Sequence, residues 1–421
     1  MSTVRFFDSI PHIVRYGMHD DKEPKSQTLF YRNGVCFRVH VSGEDVAGTP
    51  FEEKWLELIK KKDAHDDEPK GWIRRWESLC DGVITPCLPL LDTLAPSSHK
   101  WTTLHDYLHT PTYKLRLVAD EQAAHVVPKV AEGPKDRPSY EHNLIKFSEF
   151  SSFPEDVPRY PAEDLVVLGQ EKNWRRPPHK VRVPGGDMAY FRPCNQPVRQ
   201  ASTGQITNSS VDIINAYLRL HNAESTQSGE EGSQGAAKRI NIPRLQGIVV
   251  SHALSSPGEI TTPPPQEEGL AKSSEEKEPL CAGILLNYVS GAKTLAEVMK
   301  MSSNQDHPFS LSSHAEKWRG QIATAVEHLH AHHITKGGRS DDLNPWFFIN
   351  QHTVYLANVN WDNISFGHTE AAGLEDADAW LVLEGGCTVH PTTEREGETE
   401  VEKFKQQQAM DWEAVEKVFQ G

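Results

Sequence analysis

The stretch from His328 to Asp362 reads HLHAHHITKGGRSDDLNPWFFINQHTVYLANVNWD, and it decides the fold that we expect. Its first residues end an apolar helical stripe in a histidine-rich turn. Asp342 then opens a D-L-x-P loop, and a strand hairpin is predicted after it. An Asp at this point either accepts backbone N–H groups that hold the loop or takes a proton from a substrate. The sequence leaves both roles open for Asp342.

The whole chain is long and acidic, with 421 residues and a formal net charge of −15. This length predicts roughly two or three packed units. The excess of acids argues against a general nucleic-acid binder, because affinity for a phosphate backbone comes chiefly from clustered Lys and Arg. No window approaches the roughly 18 apolar residues of a membrane span.

The six cysteines are scattered and contain no C-x-x-C pair. This pattern is typical of reduced, intracellular thiols rather than of a disulfide framework or a zinc site. We therefore expect a cytoplasmic or nuclear protein that binds neither membranes nor nucleic acids.

Residues 1–158 are expected to form an N-terminal α+β domain. Alternating apolar and polar residues on either side of Asn33-Gly34 predict a β-hairpin over residues 27–42. Helical apolar spacing predicts amphipathic helices between residues 50 and 91, followed by a short helix and a strand hairpin over residues 104–127.

Residues 159–421 predict a second region, in which strands and helices follow a definite order. Strands are expected at residues 165–168, 179–184, 188–191, 245–252 and 281–289, with a helix at 211–222 after the third strand. Further helices are expected at 295–301, 313–332 and 401–419. Polar, Gly-rich or Pro-rich composition predicts disordered loops near 223–237 and 255–278.

This order of elements, together with the loop at Asp342, resembles the protein-kinase-like fold. Four further phrases look like those of a degenerate kinase (pseudokinase) family that is common in filamentous fungi: YKLRLVA at 113–119, KVRVP at 180–184, AYLRL at 216–220 and IPRL at 242–245. The resemblance implies an α+β chain with an N-terminal domain, a kinase-like N-lobe over 159–289 and a short C-lobe over 290–421.

The resemblance also implies roles for individual residues. Asp342 takes the place of the catalytic base, and Asn344 stands where protein kinases usually carry Lys. In kinases a Lys on the third strand contacts the ATP phosphates, and Arg192 is the basic residue nearest to that position in this chain. Asn358 takes the place of the metal-binding Asp of D-F-G. The implied cofactor, where one binds, is ATP with Mg²⁺.

Two departures from the kinase pattern concern the metal. Phe347 occupies the position of the metal-holding Asn, and Asn358 lacks the charge of Asp. Because Mg²⁺ prefers anionic oxygen ligands, we expect weak or absent metal-dependent catalysis and assign no metal site. The helix position that would pair with Arg192 is Ile213, so the Lys–Glu ion pair is missing as well.

Three functions follow from these residues. The leading hypothesis is a binding or regulatory pseudokinase with a protein partner and weak or no phosphotransfer. The first alternative is an active ATP-dependent phosphotransferase that uses Asp342, with Asn358 and Asp362 holding metal. The second alternative is an adaptor with no nucleotide site.

Two histidine pairs have helical i, i+4 spacing, His328 with His332 and His105 with His109. Metal-binding pairs share this spacing. However, zincin-type chemistry needs a Glu inside the pair and a third ligand, and no Glu lies between His328 and His332. We therefore expect this pair to end a helix, where the dipole favours it.

Overall fold

The computed structural model describes residues 12–19, 24–59, 78–96, 101–135, 144–151, 153–168, 178–194, 198–199, 206–227, 240–251, 279–289, 291–302, 311–336, 349–357, 377–383, 387–391 and 398–419. The fold is α+β and divides into two compact units. Unit 1 comprises residues 1–140, 166–178 and 253–277, and unit 2 comprises 141–165, 179–252 and 278–421. Our predicted boundaries after residues 158 and 289 stay predictions. No described helix is long and apolar enough to cross a bilayer.

Unit 1 contains a five-stranded sheet in the order β1-β2-β3-β4-β5. Strands β3 and β4 are parallel, and the other neighbours are antiparallel. The strands are β1 His12–His19, β2 Lys25–Arg32, β3 Val35–Ser42, β4 Thr112–Ala119 and β5 Val126–Lys135, and a short β7 spans Val166–Val167.

The predicted hairpin at Asn33-Gly34 is confirmed as β2 and β3. Both turn residues have positive φ, 51° for Asn33 and 74° for Gly34. Two-residue hairpin turns need this backbone conformation, because its twist matches that of the flanking strands, and Asn and Gly adopt it at the least cost. Local sequence therefore sets this register.

Helices cover one face of the unit 1 sheet. Side chains such as Phe37 and Val39 pack there against Trp55 and Leu91 in one hydrophobic core. The predicted helices are confirmed over the described residues, and residues 60–77 lie outside them. The helices are α1 Gly43–Val46, α2 Pro50–Ile59, α3 Leu88–Leu94 and α4 Leu104–Leu108, and residues 78–84 are also helical.

Unit 2 is built on a sheet in the order β6-β12-β13-β9-β8. Strand β6 is parallel to β12, and the other neighbours are antiparallel. The strands are β6 Arg159–Pro161, β8 Lys180–Arg182, β9 Met188–Pro193, β12 Leu245–Ser251 and β13 Leu280–Asn287.

Smaller ladders complete unit 2: β10 with β11, β14 with β16, β16 with β17, and β15 with β18. Their bounds are β10 Val198–Arg199, β11 Ile206–Thr207, β14 Lys293–Thr294, β15 Ile334–Thr335, β16 Val354–Ala357, β17 Asp378–Leu381 and β18 Thr388–Val389.

The four predicted helices of unit 2 are confirmed, namely α5 Ser209–Gln227, α6 Leu295–Ser302, α7 Leu311–Ala331 and α8 Glu398–Val418. The apolar stripe of α7, including Trp318 and Ile322, lies in a core shared with Ile213 of α5 and Val415 of α8. Helix α5 continues through residues 223–227, which we had expected to begin a disordered loop. The rest of that loop and the loop near 255–278 lie outside the described residues.

We predict that Gly283→Ala destabilises unit 2. A Cβ built at Gly283 lies 2.3 Å from the backbone oxygen of Arg192 and 2.6 Å from the ring of Phe191. Overpacking of this kind costs about 1–3 kcal/mol, and a backbone oxygen in a ladder cannot move aside freely. Urea unfolding measures the change.

Gly320→Ala in α7 is the matched control for this prediction, because nothing lies within 4 Å of its Cβ. Alanine in a helix interior is expected to add about 0.5–1 kcal/mol of stability relative to glycine. Equal unfolding midpoints for the two variants would contradict the close approach of β9 to β13.

Candidate functional site

Unit 2 contains a cluster of buried polar side chains where α7 ends and the segment carrying Asp342 begins. We call it the polar junction. Three elements supply it: the end of α7 with β15, the end of β18, and the inner face of α8. Its members are His330, Thr335, Lys336, His390, Gln407 and Asp411, and each is less than one tenth exposed.

The carboxylate of Asp411 organises one half of the polar junction. Its Oδ2 accepts a hydrogen bond from Nε2 of His330 at 2.9 Å and another from the backbone N–H of Lys336 at 2.9 Å. Asp411 is only 1% exposed, and Lys336 is fully buried. Because a buried carboxylate needs donors to offset its lost hydration, both bonds are required there. Asp411 thus fixes the backbone at Lys336.

Thr335 organises the other half. Its hydroxyl donates to Oε1 of Gln407 at 2.9 Å and lies 3.0 Å from Nε2 of His390. Since the Thr335 proton is used on Gln407, the imidazole donates its Nε2–H to the hydroxyl oxygen. Burial lowers the pKa of His390, and this outweighs the raising effect of Gln407. A neutral His390 suits this donor role.

Helix α5 is tied to the same place by Arg219. Its Nη1 donates to the backbone oxygens of His332, at 3.2 Å, and His390, at 2.7 Å. These carbonyls flank the β15–β18 pair, in which Thr335 lies opposite Thr388. One guanidinium therefore joins a helix before β12 to two turns that follow more than 100 residues later in the sequence.

Charges of the polar junction and the charge of Arg192 both act on the thiol of Cys387. Burial raises the pKa of the Cys387 thiol to about 12, against the lowering effect of Lys336 and Arg192; Asp212 and Asp411 add to the raising effect. The thiol is therefore protonated and inert at neutral pH.

Of the site residues expected from the sequence, only Arg192 is described. It lies in β9, is 9% exposed, and pairs across the ladder with Ile284 of β13. Ile213 is buried in the core of unit 2 and offers no carboxylate, as the sequence indicated. Asp342, Asn344 and Asn358, together with Phe347, Asp341 and Asp362, lie outside the described residues. The described chain stops at Lys336, the anchored residue, and resumes at Ile349.

The sheet face that carries Arg192 is crowded with rings close to the end of β13. Tyr190, two residues from Arg192 on the same face, stacks on His179 with ring centroids 4.9 Å apart. Lys180 lies opposite Tyr190 in the ladder, and its Nζ is 4.8 Å from the centroid of the Tyr288 ring. Burial raises the pKa of Tyr288. Tyr190 also packs against the hydrophobic core of unit 2, so these rings border that core.

Within each of the two histidine pairs, the two rings lie in close contact. Ring centroids are 4.6 Å apart for His328 and His332 and 4.3 Å apart for His105 and His109. Among the residues that the structure describes, no group of three or more His, Cys, Asp or Glu side chains is arranged to hold a metal ion. His328 also lines a groove with Tyr217 and Ile242 of unit 2.

Sequence reasoning missed Asp411 and Arg219, which do most of the positioning. One signal was present for Asp411. Gln407, Asp411 and Val415 are spaced by four residues, so a carboxylate stands on the stripe of α8 that faces the core. A charge at such a position indicates a buried partner.

Comparison with known proteins adds no family to these observations. No family model matches the chain, and none of the curated proteins matches it. The arrangement of the chain's own residues therefore carries the functional argument.

We predict that Asp411→Ala destabilises unit 2 by about 2–5 kcal/mol, because it strands the buried N–H groups of Lys336 and His330. Asp411→Asn should cost less, since an amide oxygen still accepts a hydrogen bond. Urea unfolding followed by circular dichroism measures both variants. Glu416→Ala, at an exposed position of the same helix, should leave the midpoint unchanged. An Asp411→Ala protein as stable as wild type would show that the polar junction does not anchor the chain.

The second site prediction concerns pH. Burial, with a smaller contribution from His332, lowers the pKa of His328 from 6.5 to about 4. The unfolded chain takes up this proton as pH falls through 6.5, whereas the folded chain does so only near 4. Stability that is fully present above pH 6.5 is therefore lost progressively down to about pH 4.

His328→Asn should weaken this loss, as measured by urea midpoints across that pH window. His352→Asn, at an exposed position, is the control and should keep the wild-type slope. Identical slopes in the two variants would contradict a neutral, desolvated His328.

Proposed function

We propose that this chain is a degenerate protein-kinase-like protein that acts as a binding or regulatory module, with weak or no phosphotransfer. Its proposed work is to present a kinase-like surface to a protein partner. The observation that carries the proposal is the polar junction, which fixes the backbone at Lys336, six residues before Asp342. In the same chain, Phe347 and Asn358 stand at the positions that the resemblance assigns to metal.

The order of elements in unit 2 supports the kinase-like part of the proposal. Strands β8 and β9, helix α5, strands β12 and β13, and helices α6 and α7 occur in this order along the chain, with the short strands β10, β11 and β14 between them. The resemblance implies the same order after a first strand, and β7 precedes β8 in the chain. In the sheet, β13 lies between β12 and β9. It therefore joins β12, which follows α5 in the chain, to β9, which precedes α5. This arrangement places Ile284 of β13 directly opposite Arg192 of β9.

The polar junction fixes the chain just before the loop that carries Asp342. Asp342 follows Lys336 by six residues, and the backbone of Lys336 is fixed by Asp411 and packed without solvent exposure. Burying a carboxylate costs several kcal/mol unless it is well paired. The buried contact between Asp411 and the backbone of Lys336 therefore defines where the loop begins.

The residues at the metal positions argue against efficient phosphotransfer. Phosphoryl transfer is mostly positioning and electrostatic stabilisation, in which Mg²⁺ neutralises charge on the phosphates. Phe347 supplies no ligand atom, and Asn358 supplies an uncharged one. Tyr190 and His179 also take up room on the sheet face beside Arg192. A surface for binding is therefore better supported than a reaction centre.

The proposal predicts that catalysis is lost at the metal positions and can be restored there. In the wild type, millimolar ATP with Mg²⁺ should give no metal-dependent rise in Tm and no phosphate transfer. The double variant Phe347→Asn with Asn358→Asp should gain a Mg²⁺-dependent rise in Tm, because ligand binding to the folded state stabilises it by mass action. Differential scanning fluorimetry and a phosphate-release assay measure the two effects.

Asp342→Ala and Asp341→Ala form the matched pair for the transfer assay. Metal-dependent transfer by the wild type, lost in Asp342→Ala and kept in Asp341→Ala, would overturn the proposal in favour of an active phosphotransferase. A double variant that folds but gains no metal-dependent shift would overturn it in favour of an adaptor with no nucleotide site.

A further inference from the structure

The unit 1 sheet carries a row of basic side chains on the face opposite its helices. In β3, Phe37 and Val39 point into the core, so Arg38 and His40 lie on the other face. The parallel register pairs Arg38 with Lys114 and His40 with Arg116 of β4. Arg116 in turn lies opposite Lys129 of β5. We call Arg38, His40, Lys114, Arg116 and Lys129 the basic face.

Like charges in neighbouring strands destabilise a sheet, and the basic face contains two such pairs, Arg38 with Lys114 and Arg116 with Lys129. Two acids offset part of the charge. Glu132 accepts from Nζ of Lys114 at 2.7 Å, and Asp45 forms an ion pair with Arg116. Among the described side chains of this face, the cations still exceed these acids by two, in a chain whose formal net charge is −15.

The basic face is open enough to meet a ligand. Lys114 is 24% exposed and Arg116 is 52% exposed; Lys129 is exposed, and Arg38 and His40 are partly so. The pKa of His40 reflects the positive potential of the basic face. Its pKa is lowered to about 4, first by burial and then by Arg38, Lys114 and Arg116, against the raising effect of Glu132. At neutral pH it therefore offers a neutral ring that both donates and accepts.

The spacing of the cations selects the form of a ligand. The cations Lys114 and Arg116 stand two residues apart on β4, which is about 6.4–6.8 Å. On β3 the same interval separates the cation Arg38 from His40, which is neutral at neutral pH. An extended peptide repeats its side chains on one face at the same interval. Carboxylates at alternate positions therefore meet one row of the basic face in register.

We propose that the basic face of unit 1 binds an extended acidic segment of a partner protein in which every second residue is Asp or Glu. This inference does not depend on the function proposed for unit 2. A peptide is favoured over nucleic acid because the net charge of the chain repels long polyanions. In addition, the five side chains of the basic face include no Phe, Tyr or Trp on which bases stack.

The test uses the full chain and two fluorescein-labelled peptides of equal composition. In one peptide Glu alternates with Ser, and in the other the Glu residues are contiguous. Fluorescence anisotropy should show that the alternating peptide binds the wild type more tightly, with an affinity that falls as salt rises. The variant Arg116→Glu with Lys129→Glu should weaken that binding about tenfold or more.

The control variant, Lys54→Glu with Arg182→Glu, makes the same change in net charge at exposed positions that are not part of the basic face and should bind like wild type. Because Arg116 pairs with Asp45, Lys129→Glu alone is a second variant that leaves this ion pair intact and should weaken binding in the same direction.

Three outcomes would overturn the proposal: no binding of the alternating peptide by the wild type, equal binding of the two peptides, or equal effects of the basic-face and control variants. Tighter binding of a single-stranded oligonucleotide than of the alternating peptide would also overturn it, in favour of a nucleic-acid partner.

Discussion

The carboxylate of Asp411 is the contact on which the described part of unit 2 depends. It accepts hydrogen bonds from His330 at the end of α7 and from the backbone of Lys336, 75 residues earlier in the chain. A buried carboxylate without donors would cost several kcal/mol. The carboxylate on helix α8 therefore joins this helix to the end of helix α7 and to the backbone at Lys336.

Around this contact, buried hydrogen bonds from several elements of unit 2 fix the chain that precedes Asp342. Arg219 links the polar junction to α5, and Thr335 links it to β18. Together with α7 and α8, four elements therefore fix the position of one turn. Under the kinase-like proposal, metal-dependent transfer would need ligands at the positions of Phe347 and Asn358, and these residues supply no carboxylate. Together with the backbone fixed at Lys336, this motivates the binding role proposed for the chain.

The basic face of unit 1 shows a different use of electrostatics. Pairing Arg38 with Lys114 across parallel strands works against stability. Such a pair is compensated by Glu132 and Gln27, whose oxygens accept from Lys114 and Arg38. Within an acidic chain, this face concentrates positive potential where two strands repeat at the interval of an extended ligand. The charges of unit 1 are thus exposed on a sheet face, whereas those of the polar junction in unit 2 are buried.

Local sequence determined the hairpin at Asn33-Gly34, the long helix α7 and the α+β class, because turn geometry and apolar periodicity act between near neighbours. It also contains Asp342, Phe347 and Asn358, on which the kinase-like proposal rests. Tertiary structure alone decided that Asp411 meets Lys336, that β3 pairs with β4 across about 70 residues, and that β6 joins β12. These contacts depend on burial and hydrogen bonds between remote segments, which no short window of residues encodes.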